Sequence, residues 1–92
     1  MLFMIAAYLK PGFEKELLKF SNELNEHFAQ PVLTAAGTVR DADGQRRGYV
    51  GFVEGDSFED AKRYVEQGPF FQEHLYERLD IFEYRLEVGQ IG

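Results

Sequence analysis

Two imidazoles are the first residues to consider for acid–base chemistry near neutral pH, His27 and His74. His74 follows the aromatic run Pro69-Phe70-Phe71 and has carboxylate neighbours at Glu73 and Glu77, so a neutral imidazole there could act as a general base. We therefore predict His74 as the catalytic candidate. The alternative is an exposed or partly packed loop histidine. His27 lies near a predicted helix end, where a solvent-facing or capping role is expected.

Three arginines cluster around one predicted hairpin of an otherwise acidic chain: Arg40, Arg46 and Arg47. Guanidinium groups bind carboxylates and phenolates through paired hydrogen bonds. We predict Arg47 as the anion clamp of a ligand site. The alternative is a solvated turn in which the arginines pair with Asp41 and Asp43, because most surface charges form such pairs.

Hydroxyl groups could complete such a site. We predict Tyr8 as a hydroxyl donor and Thr38 as part of the pocket wall. The chain has no cysteine, and its serines lack the Gly-x-Ser-x-Gly elbow of serine hydrolases. It also lacks a glycine-rich phosphate loop, a long acidic calcium loop and a zinc-type histidine spacing. The sequence therefore predicts neither a cofactor nor a metal site.

Composition limits the partners that this protein can have. Its 92 residues carry a formal net charge of −6, which argues against binding to nucleic acid or to an anionic membrane. The apolar start of the chain is too short to span a bilayer and lacks the basic flank of a signal peptide. We expect a single cytoplasmic domain over residues 1–92, 45% hydrophobic and 15% aromatic.

The hydrophobic pattern predicts four strands and two main helices. The strands are Leu2–Leu9, Val32–Arg40, Arg47–Glu54 and Leu79–Val88. The first helix carries apolar residues at helical spacing: Phe13, Leu17, Phe20, Leu24 and Phe28. The second begins after Ser57, which with Asp60 forms a capping pattern, and ends before Pro69. A short helical turn or loop then leads to the last strand.

This order of strand, helix, strand, strand, helix, strand predicts an α+β fold of ferredoxin-like type. Four antiparallel strands would form the sheet, with both helices on one face and the first and third strands in the centre. The first strand is apolar at consecutive positions, so its second face needs cover as well. We therefore predict a homodimer formed through the open sheet face.

Several short motifs resemble the YCII-related (YciI-like) family. The run from Val53 to Ala61 is similar to a strand ending in acidic residues followed by the family's Ser-x-x-[DE]-Ala helix start. Gly68-Pro69-Phe70 resembles its Asp-Pro-[FY] break. Ala36-Gly37, Asp43-Gly44 and Gly48 resemble the spacing of its middle hairpin. The resemblance covers nearly the whole chain and implies a dimeric α+β barrel.

The resemblance also implies where a pocket would lie. Many family members carry a histidine on the first helix near a pocket carboxylate, and one branch dehydrochlorinates a hydroxylated aromatic ring. In this chain the aligned histidine position falls near Phe20, and the aspartate is replaced by Gly68. The resemblance thus implies a pocket wall that contains Phe20, Pro69 and Phe70, without the family's paired acid and base.

Two functions follow from these observations. The first is the binding of a small anionic or aromatic metabolite between the sheet and the helices, without catalysis. The alternative is an enzyme of lyase or isomerase type that abstracts a proton from, or eliminates a group from, a small aromatic or ring-cleavage metabolite.

Overall fold

The structure is a computed structural model that describes residues 1–13, 19 and 21–90. Its strands are β1 (Leu2–Leu9), β2 (Leu33–Arg40), β3 (Arg46–Glu54) and β4 (Tyr76–Tyr84). Its helices are α1 (Ser21–Phe28), α2 (Phe58–Glu66) and α3 (Pro69–Gln72). The predicted positions Leu17 and Phe20 lie outside the described residues.

The four strands form one antiparallel sheet in the order β2-β3-β1-β4. In β1, Ile5 pairs with Gly51 of β3 on one side and with Ile81 of β4 on the other. This is the strand order of a ferredoxin-like unit, with β1 and β3 in the centre. The predicted fold class is therefore confirmed.

One face of the sheet carries the main hydrophobic core. Phe3, Ile5 and Val53 are almost fully buried, and they pack against Ala61 and Val65 of α2. Full burial of each large side chain stabilises the fold by roughly 1.5–3 kcal/mol. The alternation of buried and less buried residues along β1 shows that the helices cover this face.

A second cluster attaches the other two helices to the end of β1. It joins four buried side chains from separate parts of the chain, Leu9, Phe13, Leu24 and Phe70. Leu24 belongs to α1 and Phe70 to α3, so the cluster fixes both helices against the same strand end. The functional site described below lies beside this cluster.

The ends of α2 follow the predicted local chemistry. The Ser57 hydroxyl accepts a hydrogen bond from the backbone N–H of Asp60 at 3.3 Å, which confirms the helix cap. The helix ends at Glu66, and Pro69 opens the short α3 at a position where its missing N–H costs no intrahelical bond. Phe58, the first residue of this helix, is 50% exposed, and its ring meets the Phe3 ring in a T-shaped contact with centroids 4.9 Å apart.

The last strand begins and ends earlier than predicted. It runs from Tyr76, which pairs with Leu9, to Tyr84, which pairs with Leu2. Because β1 offers no partner beyond Leu2, the apolar alternation that continues through Leu86 and Val88 does not extend the strand. Both of these side chains are exposed.

The face of the sheet that the helices leave open carries aromatic side chains. Tyr8 is 45% exposed and Phe82 is 50% exposed, while Phe52 packs edge-on against Tyr84. A continuous apolar surface of this kind usually marks an interface. In the part of the chain that the structure describes, no helix is long and apolar enough to cross a membrane.

Candidate functional site

A β-bulge in β3 determines the geometry of the arginine cluster. Val39 of β2 pairs with Gly48 of β3, but the next residue, Arg40, pairs with Arg46. Arg47 is therefore the extra residue of the bulge. A bulge bends the strand and re-aims the side chains beside it.

The two neighbouring arginines consequently lie on opposite faces of the sheet. The guanidinium carbon of Arg46 lies 5.3 Å from the centre of the Phe13 ring, on the side covered by the helices. Arg47 instead lines a shallow hollow of about 200 Å³ with Tyr8 on the open face. The bulge thus directs the Arg46 side chain, and not that of Arg47, into the space between sheet and helices.

That space is a cavity of about 380 Å³ between α1, β2 and β3. We call it the helix-side cavity; it is lined by Phe28, Leu33, Ala36, Gly37, Thr38, Arg46 and Tyr49. Most of these side chains are apolar, and Arg46 is the cation among them. The predicted wall residue Thr38 does lie in this lining.

Arg46 is held in place without satisfying all of its donors. Its guanidinium group stacks over Phe13, which is buried. Its Nε is buried and has no hydrogen-bond partner among residues 1–13, 19 and 21–90. Since an unsatisfied buried donor costs roughly 1–3 kcal/mol, an acceptor that reached this N–H would be stabilising.

Tyr49 of the cavity lining belongs to a pair of phenols. The Tyr49 and Tyr76 hydroxyl groups are hydrogen-bonded to each other, and the Phe28 ring meets the Tyr49 ring edge-on with centroids 6.2 Å apart. Burial raises the pKa of Tyr49 and, more strongly, the pKa of Tyr76. Both phenols therefore stay protonated at neutral pH and can donate hydrogen bonds.

The predicted clamp Arg47 already has a partner. Its Nε donates to Asp41 Oδ2 at 2.8 Å, in the hairpin pairing that was the stated alternative. The backbone N–H of Gln45, and after it the Arg47 side chain, lower the pKa of that carboxyl group. Arg47 and Tyr8 share the open-face hollow, so the structure separates them from Thr38.

The remaining predicted site residues are also dispersed. His74 is exposed, adopts a left-handed backbone with φ of 57°, and lines a hollow of about 240 Å³ with Lys10 and Glu77. Phe70 is buried behind the helix-side cavity, with its ring 5.9 Å from that of Tyr49. Pro69 is buried at the edge of a different hollow. Phe20 lies outside the described residues.

His27 departs most from its expected role. It is only 7% exposed, and its ring stacks on Tyr64 with centroids 4.1 Å apart. The Tyr64 hydroxyl donates to the backbone carbonyl of His27 at 3.1 Å. The expected solvent-facing or capping role is therefore wrong. Burial lowers the pKa of His27, so the imidazole favours its neutral form.

Gly68 explains how this imidazole fits. A Cβ at position 68 would lie 2.8 Å from His27 Nε2, so a side chain there would collide with the ring. The position that the family resemblance assigns to an aspartate thus faces a histidine, but this chain has no side chain there.

Phe28 and Tyr49 of the helix-side cavity were not singled out from the sequence, and from the arginine cluster Arg47 was selected instead of Arg46. Gly48 was the available signal, since an isolated strand glycine often marks a bulge. Without the pairing partner, however, the sequence gives no means of deciding which arginine the bulge turns inward. Within the described ranges, no three His, Cys, Asp or Glu side chains lie close enough to hold a metal ion.

Comparison with known proteins identifies the fold. No family model matches this chain, and no curated protein sequence matches it either. Among solved structures, a 5-chloro-2-hydroxyhydroquinone dehydrochlorinase of Burkholderia phenoliruptrix, in complex with 2,5-dihydroxybenzoquinone, is 19% identical with a TM-score of 0.77. That alignment covers 92% of this chain and 94% of the other.

Two further structures share the architecture at lower similarity. A heme-degrading protein of Mycobacterium tuberculosis is 24% identical with a TM-score of 0.53, over 96% of this chain and 98% of that one. A cofactor-independent oxygenase of Streptomyces nogalater is 16% identical with a TM-score of 0.51, over 97% and 96% of the two chains. At these identities the likeness establishes the α+β fold alone.

Proposed function

We propose that this protein binds a small anionic aromatic metabolite in the helix-side cavity, with Arg46 as the anion-binding residue. Two observations on Arg46 carry the proposal: the residue lines an apolar cavity, and its buried Nε lacks a hydrogen-bond partner among the described residues. A carboxylate or phenolate would accept from this donor and neutralise the guanidinium charge.

The rest of the lining suits an aromatic ring. Phe28 and Tyr49 supply ring surfaces, and the volume of about 380 Å³ is within the range of small-molecule sites. The protonated phenol of Tyr49 can donate to a hydroxyl or carbonyl oxygen of the ligand. An aromatic acid or phenol that carries a second oxygen would therefore use both polar groups of the cavity.

The similar fold of a solved structure also supports a small aromatic ligand. One solved neighbour is described as a complex with 2,5-dihydroxybenzoquinone, a small oxygen-rich ring compound. This is an argument from analogy, because one fold serves many functions. It agrees with the chemistry inferred from Arg46 and Tyr49.

Binding is favoured over the lyase or isomerase alternative by the ionisable groups in the described lining. Arg46 is a cation and Tyr49 is a phenol that burial keeps protonated, so neither is a ready base for proton abstraction. His74 lines a different hollow. We therefore infer that ligand capture is the primary role of the cavity.

We further propose that two copies pair through their open sheet faces. The exposed Tyr8 and Phe82 rings would be covered in such a dimer. The helix-side cavity lies on the opposite face of the sheet and stays accessible.

Matched arginine variants test the proposal. We expect 4-hydroxybenzoate to shift backbone amide signals around the cavity, and Arg46→Gln to weaken its affinity about tenfold to a hundredfold, the loss expected for a hydrogen bond to a charged group. Arg47→Gln removes the same charge from the other face of the sheet and should leave the affinity unchanged. Equal losses in both variants, or binding that is insensitive to Arg46→Gln, would contradict the proposal.

A further inference from the structure

A second hollow, of about 330 Å³, lies where α1 meets the segment between α2 and α3. It differs from the helix-side cavity in chemistry. Its lining is dominated by hydrogen-bond acceptors and comprises Glu23, Glu26, His27, Gln30, Gln67, Pro69, Gln72 and Glu73. We call it the acidic hollow. Three of these side chains are carboxylates, and no lysine or arginine is among the lining residues that the structure describes.

His27 is the independent sign that this hollow takes a ligand. The imidazole is more than nine-tenths buried and borders the hollow. The Tyr64 hydroxyl donates to the backbone carbonyl of His27, and no hydrogen bond between described residues involves a ring nitrogen of His27. Its Nε2 points towards Gly68, whose neighbours Gln67 and Pro69 both line the hollow. Because Gly68 has no side chain, position 68 places no side-chain atom over this nitrogen.

We propose that the acidic hollow binds a small organic cation that carries primary ammonium groups, with the His27 imidazole and the carboxylates of the lining as its acceptors. An ammonium group has three donors and no acceptor, which matches this lining. A bare metal ion fits less well, because among the described residues no group of three ligands converges closely enough. The volume is sufficient for an aliphatic diamine.

The charged side chains that the structure describes in the lining of the acidic hollow all have the sign that the proposal needs. Glu23 and Glu26 approach from α1, and Glu73 from the end of α3. Tyr64 of α2 stacks on the ring, and burial raises its pKa to about 12, so it stays neutral. Bound ammonium would therefore be attracted by these carboxylates and repelled by a protonated His27. Arg63 of α2 lines a neighbouring hollow that shares Gln30 and Gln67, and its guanidinium group pairs with Asp60.

The probe for this site is 1,4-diaminobutane, titrated into the isotope-labelled protein at constant ionic strength against sodium chloride. We expect saturable amide shifts confined to residues 23–30 and 67–73. The imidazole signals of His27 should also report a fall in its pKa when the diamine binds, because a neutral acceptor becomes harder to protonate beside a cation. His74 is exposed and serves as the internal control, with signals that the diamine leaves unchanged.

Two results would overturn the proposal. One is that sodium chloride reproduces the shifts, or that they spread over all acidic surfaces, as expected for counterion attraction. The other is that the His27 titration does not respond to the diamine. Matched variants add a further test: Glu73→Gln should weaken binding about twofold to fivefold. Glu87→Gln makes the same charge change in the exposed C-terminal segment and should have no effect; equal effects of the two variants would contradict the proposal.

Discussion

At the scale of single residues, the burial of His27 links protonation to stability. The imidazole is packed between Tyr64 and Gly68, and this burial lowers its pKa below the ordinary value of 6.5. The unfolded chain therefore binds a proton more readily than the folded chain. By linkage, the stabilisation is fully present above pH 6.5 and is lost as the pH falls through the folded-state pKa.

A pH series with two histidine variants tests this link. We expect the free energy of unfolding, measured with urea, to fall between pH 7.5 and pH 5.5 in the wild-type protein. His27→Gln should flatten most of this dependence, whereas His74→Gln should retain it, because His74 is exposed. The same pH dependence in wild type and His27→Gln would show that His27 is not its source.

The sequence predicted that the candidate site would contain an arginine, but it did not identify which arginine. An arginine clamp beside Thr38 was expected, and Thr38 lines the helix-side cavity. The chosen arginine was Arg47, which the structure pairs with Asp41. Neighbouring residues of the same type look alike in sequence, and only strand pairing assigns each to a face of the sheet. The burial of His27 was likewise not predicted, because it depends on packing against α2, which is distant in sequence.

At the scale of secondary structure, the bulge in β3 is the feature on which the cavity depends. Gly48 lies against the neighbouring strand so closely that a Cβ there would be 1.9 Å from the backbone carbonyl oxygen of Ala7. A backbone atom in a central strand cannot move aside as a flexible side chain can. Position 48 therefore requires glycine for the strand to pass β1 and turn Arg46 inward.

Gly48→Ala measures how much the bulge matters. We expect it to lower the free energy of unfolding by about 2 kcal/mol or more, because overpacking against an immobile group is strongly destabilising. Gly37→Ala is the matched control in β2, where the added methyl group meets no atom within 4 Å. Denaturant unfolding of both variants is the measurement. Equal small losses would mean that the strand relaxes around position 48.

Local sequence signals predicted these elements well where the cause was local. β1 was predicted at its observed bounds, and the Ser57 cap and the break at Pro69 were confirmed. The last strand was shifted, because its bounds depend on which residues of β1 remain available as partners. Apolar alternation alone therefore extended it to Val88, beyond the end of pairing at Tyr84.

At the scale of the whole molecule, the two faces of the sheet have different roles. The helices bury one face, and the helix-side cavity opens on that side of the sheet. The other face exposes Tyr8 and Phe82 in a chain that has a net charge of −6. Net charge keeps such molecules apart in general, so association would depend on apolar contact at this face. In a symmetric dimer, each exposed ring would occur twice in the interface, once from each copy.

Light scattering tests the dimer. We expect a mass of about twice the 10.6 kDa of one chain at micromolar concentration. Phe82→Asp should weaken the dimer by about a hundredfold or more, since each of the two copies loses one buried ring. Val88→Asp introduces the same charge at a residue that is 91% exposed and outside the sheet, and it should leave the mass unchanged. A monomer mass for the wild type would exclude the pairing.

The most direct measurement of the central claim is an NMR spectrum of the arginine Nε–Hε groups, recorded while 4-hydroxybenzoate is added. Binding in the helix-side cavity predicts a large, saturable shift of the Arg46 signal, because its buried Nε acquires an acceptor. The Arg47 signal, held by Asp41, should stay in place. A shift of Arg47 with a stationary Arg46 would place the anion on the open face of the sheet and contradict the account.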